Sequence, residues 1–387
     1  MRAHILGMYR GVTVKNVTSF LFEQQYGDCI AIKEQPTVFK LGIKEIAVPP
    51  MNVTSSNSTS NTTSHIPLRG ADSPLKLGLK DRFGNPISCL KHAIPMKRLT
   101  LERLTKFATL ERFFSKVPNG HFDLAPPSAS GLRRRDWETT HKYAVAHQEL
   151  SNFGGNSFIE LWNPVADFSL SQQWYVGGSP VQSVEGGWLV YPGHTKAVLF
   201  IYYTAAGYDP SNKKKCYNLD CVAFVQINHN WYLDGIWDHY STPESRWGFE
   251  MQWKLYNKNW WLFLRGPGSY EAVGYYPTTI YDGGQMSKNA QVIEYGGEVA
   301  RLVGDNWGQM GSGVLSKQEL SVAANQHTIF SIRRDENDGV GVWADLVPRR
   351  VDLPCYSLNI TNFPNDGNWG TYIVYGGPGG DSAMCGA

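Results

Sequence analysis

From His141 onward the chain repeats one texture: short aromatic and β-branched runs such as "AVLFIYYTA", "CVAFVQI", "FEMQWKLY", "NWWLFLRG" and "GTYIVYGGPG". Gly, Asn, Pro and Asp separate the runs. Alternating strands with frequent turn signals and almost no helical period predict an antiparallel sandwich or barrel. The chain has 13 Trp, 20 Tyr and 17 Phe, residues that suit strands and aromatic-lined clefts. Its 39 Gly suit many tight turns. At 42% hydrophobic residues it can bury a sizeable core.

Residues 1–128 read differently, as a small α+β leader. They hold a strand-like piece, "DCIAIKEQP", and a Ser/Thr/Asn-rich loop. Next comes "LTLERLTKFATLERFFSKV", Leu99–Val117. There Leu101, Leu104, Phe107, Ala108 and Phe114 fall at helical spacing, which predicts one amphipathic helix. A Pro- and Gly-rich linker, Pro118–Asp136, ends in the basic run Arg133–Arg135, a solvated or protease-exposed segment. Residues 129–387 then form the all-β domain, of a size ordinary for one such unit. A net charge of +2 without a long basic face argues against nucleic acid as a partner.

Two stretches place acids in strands. "SPVQSVEGGWLVYPG", Ser179–Gly193, sends Val184, Gly186, Trp188 and Val190 one way and Ser183, Glu185, Gly187 and Leu189 the other. A half-exposed strand ordinarily carries Glu on its solvent face. However, "NAQVIEYGGEVARLVG", Asn289–Gly304, repeats the arrangement, with Val292, Glu294, Gly296, Glu298 and Ala300 on one face. Glycine inside a strand marks a bulge or the close approach of another backbone. Two strands that each present a carboxylate beside glycines predict the two sides of a substrate groove. Such a pair can hydrolyse amides or glycosides, one carboxylate activating water while the other donates a proton. Close like charges share a proton, so this is chemistry of the acid range.

Other motifs fall away. "QMGSG" is not a nucleophile elbow, and the ten His never fall in H-E-x-x-H. "DENDGVGVWAD" has its Gly at the wrong place for a calcium loop and reads as an acidic turn. Cys216 and Cys221 enclose "YNLD" without two further zinc ligands nearby, which favours a short-loop disulfide. The six cysteines allow three disulfides in 15 pairings. Sequons at Asn52, Asn57, Asn61 and Asn359, with a fifth at Asn16, read together with the cysteines as a secreted glycoprotein. The N-terminus lacks the apolar run of roughly 7–15 residues of a signal peptide. Either the protein is cytosolic or the chain starts downstream of its signal, and the sequons and cysteines favour the second.

The segments "FSLSQQW", "SVEGGWLVYP", "CYNLDC", "FVQI", "NWWL", "VGYYP", "YGGEV", "QMGSG" and "YGGPGG…C" occur in this order, and on them the chain resembles the neprosin family of plant glutamic peptidases. The resemblance runs from about His141 to the C-terminus. A weaker one, to the family's activation peptide, runs from Gly27 to Val117. It implies a sandwich of two antiparallel sheets cut by a groove, and an inactive precursor with a removable leader. It implies catalytic glutamates at Glu185 and Glu298, and cleavage after proline in acid. It implies the disulfides Cys216–Cys221 and Cys355–Cys385, which leaves Cys29 with Cys89 in the leader. A secreted monomer without cofactor or metal is expected, with proline-containing peptides as substrate and its own leader as inhibitor. Departures are Gly186 and Leu189 in place of the relatives' "EAGWQV", Tyr295 for a usual Trp, and the long basic "DPSNKKKC". These bear on substrate preference rather than reaction class.

Further expectations follow. If a hairpin at Gly304–Asn306 pairs Ala300 with Gln309, the Gln309 amide faces the groove and can donate to an oxyanion. The linker offers self-processing sites at Pro126 and Pro127, with cleavage by another protease at Arg133–Arg135 as the competing route. Rival functions are a wall- or sugar-binding sandwich using Trp174, Trp260 and Trp261 as platforms, and a glycosidase using the same acids.

Overall fold

The computed structural model describes residues 1–13, 17–22, 25–53, 68–70, 88–107, 109–116, 139–191, 194, 196–209, 211–302, 306–317, 322–333, 341–362 and 369–386. Asn16, Asn57, Asn61, Pro126, Pro127 and Arg133–Arg135 lie outside these residues, as does most of the expected acidic turn.

Helices α1 (Arg2–Met8), α2 (Pro36–Lys40), α3 (Leu101–Thr105) and α4 (Leu110–Phe113) accompany strands β1 (Thr18–Phe22), β2 (Gln25–Ala31), β3 (Leu68–Gly70) and β4 (Ala93–Lys97). Then follow β5 (Thr139–Asn152), β6 (Gly154–Glu160), β7 (Phe168–Gly177), β8 (Gln182–Val190), β9 (Val198–Thr204), β10 (Lys215–Tyr217) and β11 (Val225–Gln226). The chain continues through β12 (Arg246–Tyr256), β13 (Asn259–Arg265), β14 (Glu271–Pro277), β15 (Ala290–Leu302) and β16 (Ala324–Ile332). It ends with β17 (Gly341–Trp343), β18 (Val347–Val351), β19 (Ser357–Thr361), β20 (Tyr372–Gly376) and helix α5 (Ser382–Cys385).

Two large sheets carry the fold, as the aromatic runs predict. One is antiparallel in the order β10-β9-β8-β7-β15-β5-β18. The other runs β11-β14-β13-β12-β6-β16-β20-β19, with β17 on β16 and β3 joining β12 in parallel. The predicted alternation of β8 holds. Val184, Trp188 and Val190 enter the main core with Met251 and Trp253 of β12, whereas Leu189 joins a separate apolar layer with Leu170, Trp174, Phe200 and Tyr202. That second layer is the outer face of the first sheet, and it carries Glu185. Gly186 lets the sheets close, since a Cβ there would stand 2.9 Å from the Met251 sulfur.

A leader sheet of order β1-β2-β4 covers one end. The expected single helix over Leu99–Val117 is instead two short ones. Thr100 accepts a hydrogen bond from the Arg103 amide, and Thr109 accepts one from the Arg112 amide. The second threonine is an N-cap inside the periodic run, so it starts a new helix rather than continuing the old one. All three implied disulfides form, Cys29–Cys89, Cys216–Cys221 and Cys355–Cys385.

Candidate active site

Cross-strand register puts the two glutamates on one face. Glu185 lies opposite Trp174 and Tyr202, while Glu298 lies opposite Leu170 and Tyr143. Strand β7 runs between them. Between their rows the same face shows Gly187, Gln172 and Gly296 in register. A Cβ at Gly187 would collide with the Ser171 carbonyl, and one at Gly296, whose φ is 146°, with the Ala144 carbonyl. The glycines beside each acid therefore mark close backbone approach and keep the floor low. Both carboxylates lean inward over it.

They converge on one cation from the leader. Nζ of Lys116 is 2.7 Å from Glu185 Oε2 and 3.2 Å from Glu298 Oε2. The ammonium also lies over the Trp174 ring at 4.8 Å and the Tyr208 ring at 5.7 Å. Tyr202 donates to the Phe114 carbonyl at 3.4 Å, and Tyr217 donates to the carbonyl of Lys116. Burial alone would pull the Lys116 ammonium down, but Glu185 and Glu298 hold it above its ordinary value.

The two acids differ in their other partners. Glu185 is fully buried, and its Oε1 accepts from Ser183 and Tyr208, both at 2.6 Å. Its Oε2 accepts from the Gln172 amide at 2.8 Å. Every one of these donors is neutral, and burial beside Glu185 keeps the Tyr208 phenol well above its ordinary value. Glu298 has Nδ1 of His141 at 2.7 Å and the Tyr143 hydroxyl at 3.2 Å, both on Oε1. Among the described residues, its Oε2 meets only the Lys116 ammonium. Burial would push the Glu298 carboxyl up, but Lys116 and His141 together hold it down to about 2.

The basic "KKK" departure supports this pocket. Lys215 donates to the Tyr208 carbonyl at 2.9 Å, and Lys214 pairs with Asp282. The insertion thereby fixes the loop whose tyrosine touches Glu185. Further along, Lys97 of the leader pairs with Asp234, and both nitrogens of Arg103 grip Asp220 at 2.7 and 2.8 Å.

Not every expected residue arrives. Gln309 is held elsewhere: its amide oxygen accepts from the Val165 N–H at 3.0 Å, and its own N–H donates to the Val165 carbonyl. Ala300 pairs with His141 and Phe168 rather than Gln309, because β15 is flanked by β5 and β7 instead of entering a hairpin. Trp260 and Trp261 are completely buried and offer no platform, whereas Trp174 lies in the groove. Asn52 and Asn359 are exposed. Sequence reasoning missed Lys116, His141, Tyr143, Gln172 and Tyr208. His141 and Tyr143 alternate along β5, so extending the strand pattern to its first residues would have placed both on one face. Nothing in the sequence marks Lys116.

The Neprosin family profile matches residues 165–378, more than half of the chain. The chain belongs to the neprosin family. With that membership comes a peptidase of the glutamic type. Two solved structures are similar at low identity. One is Scytalido-glutamic peptidase with a peptide-based transition state analog, 9% identical with a TM-score of 0.33, covering 62% of this chain and 99% of that one. The other is SCP-B, a member of the Eqolisin family of peptidases, with the tripeptide Ala-Ile-His, 8% identical with a TM-score of 0.34 over the same shares. Similarity this remote leaves the chemistry to the site itself.

Proposed function

We propose that this neprosin-family chain is an endopeptidase made as a latent precursor, which cuts after proline in acid with Glu185 and Glu298 as its catalytic pair. The observation that carries the reading is the single Lys116 ammonium held by both carboxylates. Two acids that can grip one cation from opposite sides can also grip one water and one carbonyl oxygen. With the lysine withdrawn, one carboxylate activates water and the other, protonated, donates to the amide. Two like charges this close resist joint ionisation, which favours the shared-proton state as the pH falls. While Lys116 stays, its one positive charge is shared between both groups and its ammonium fills the place of the substrate, so the leader acts as an intramolecular inhibitor. Preference for proline follows from the family resemblance. Secretion is supported by three disulfides and by the exposed sequons at Asn52 and Asn359. The leader is removed by the enzyme itself after Pro126 or Pro127, leaving a working unit that starts at Pro127 or Ser128 and holds the all-β domain.

The test is an acid digest. Purified full-length protein is brought to about pH 4, where a shared-proton pair is competent, and given a proline-containing peptide. Mass spectrometry should find cleavage after proline, lost by at least a hundredfold in Glu185→Gln and in Glu298→Gln. Substantial activity in Glu298→Gln sinks the pairing. A glycan digested in place of the peptide supports the glycosidase instead.

A further inference from the structure

The partners that remain when Lys116 leaves are unequal, and the inequality assigns roles. Glu185 keeps three neutral donors, Ser183, Tyr208 and Gln172. Glu298 keeps one group able to carry charge, His141, with Nδ1 at 2.7 Å from Oε1. Other titratable and charged groups face this pair from each packed element. Tyr143 stands beside His141 on β5 and donates to Glu298. Arg350 of β18 lies over the Tyr143 ring at 4.5 Å, donates to the His141 carbonyl at 3.2 Å, and is itself paired with Asp352. Tyr202, Tyr217 and Glu294 feel the Glu298 charge at longer range. Among the described residues of the all-β domain, His141 is thus the group able to carry a positive charge that lies nearest to Glu298.

We propose that His141 is the positioning residue that keeps Glu298 ionised in acid, making Glu298 the base and Glu185 the acid. The inference rests on the proposed peptidase function. His141 and Tyr143 occupy Oε1, which leaves Oε2 facing the groove. A water there attacks the scissile carbonyl carbon and gives its proton to Glu298 Oε2. Glu185 gives its proton to the carbonyl oxygen, forming a gem-diol. In the second step protonated Glu298 returns its proton to the amide nitrogen, Glu185 takes one from a diol hydroxyl, and the C–N bond breaks. Protons and electron pairs balance, and both acids are reset. A protonated imidazole on the far oxygen stabilises the ionised start of this cycle. It touches neither water nor peptide.

The sign is definite. Removing a neighbouring positive charge raises a carboxyl's pKa. In His141→Gln the ionised base therefore appears only at higher pH, so the acid limb of kcat/KM moves up. The measurement is the pH profile of kcat/KM on a proline peptide, with acid-activated full-length wild type, His141→Gln and His141→Lys. We expect an acid limb raised by about one pH unit or more in His141→Gln, with kcat reduced about tenfold or more and KM changed less than about twofold. His141→Lys, which keeps a cation, should hold the limb near its wild-type place. A His141→Gln limb coincident with wild type overturns the proposal, because a merely structural histidine lowers activity without moving the limb. Should His141→Gln fail to fold, the lysine variant still decides, since an activity lost altogether in a folded His141→Lys shows that charge is not what the site needs. A wild type that cuts no peptide defeats the peptidase reading instead. In that event infrared titration of Glu298 in full-length Lys116→Met, with and without His141→Gln, still reads the coupling, and an unmoved midpoint overturns it.

Discussion

Lys116 reaches the two glutamates from a leader that is also held by other residues, Lys97 on Asp234 and Arg103 on Asp220, so its charge can be tested apart from the fold. Removing one partner of a buried ion pair leaves uncompensated charge and costs about 3–5 kcal/mol. In Lys116→Ala two buried carboxylates are left facing each other, which one of them relieves by taking a proton. We therefore expect full-length Lys116→Ala to cleave a proline peptide at a pH where the wild-type precursor is silent, and an initial-rate assay in mild acid, above the pH at which the wild-type leader is shed, checks it. Continued silence there would show that the leader blocks the groove without its lysine. Glu294 is the matching control. It shares the face of Glu298, but burial raises its pKa and its partner is Arg349 at 2.7 Å, outside the pair. Glu294→Gln should keep activity within about threefold of wild type.

At the scale of elements, period-two alternation read β8 and β15 correctly down to which residues share a face. Alternation is local, fixed by the pleat, and a sequence displays it openly. Register against distant strands is not local. Ala300 meets His141 and Phe168, more than a hundred residues away in the chain, and no turn signal near Gly304 could announce it. That is why the glutamates were legible and Gln309 was misplaced. The leader helix failed for a different reason. Its apolar spacing persists through residue 109, but the Thr109 hydroxyl captures the Arg112 amide and restarts the helix. An N-cap lost to alanine costs about 1 kcal/mol. Helix α4 carries the chain into Lys116, so Thr109→Ala should loosen the plug and activate about fivefold faster at a given acid pH. The progress of leader removal on a gel checks this, and an unchanged rate would mean that α4 does not position the lysine.

For the whole molecule, acid weakens the grip of the leader at several points at once. Glu298 sits at about 2 in the docked state, below its ordinary 4.5. A group held low contributes stability above its ordinary value and loses it as pH falls through the docked one. Asp234, which burial alone would raise but Lys97 pulls below its ordinary range, acts in the same direction. Burial holds His194, beside Lys97 and Asp234, down to about 3, so the docked state resists the proton it would otherwise take below 6.5. Lys116 is raised, so its share persists through the acid and neutral range and fails only in alkali. Docking should therefore weaken from about pH 6.5 and most steeply between about 4.5 and 2. X-ray scattering from full-length Glu185→Gln should show its radius of gyration growing over that window, and a constant radius would contradict the latch. The plug itself has a kinetic corollary. What lies between the glutamates is an ammonium, which contains no peptide bond to cut, and the proposed processing sites at Pro126 and Pro127 lie ten and eleven residues further on. A molecule cannot present its own linker to a site that its own lysine still fills. The first cut must then wait for spontaneous release or come from a neighbour already free, so activation should begin with a lag that shortens as protein concentration rises.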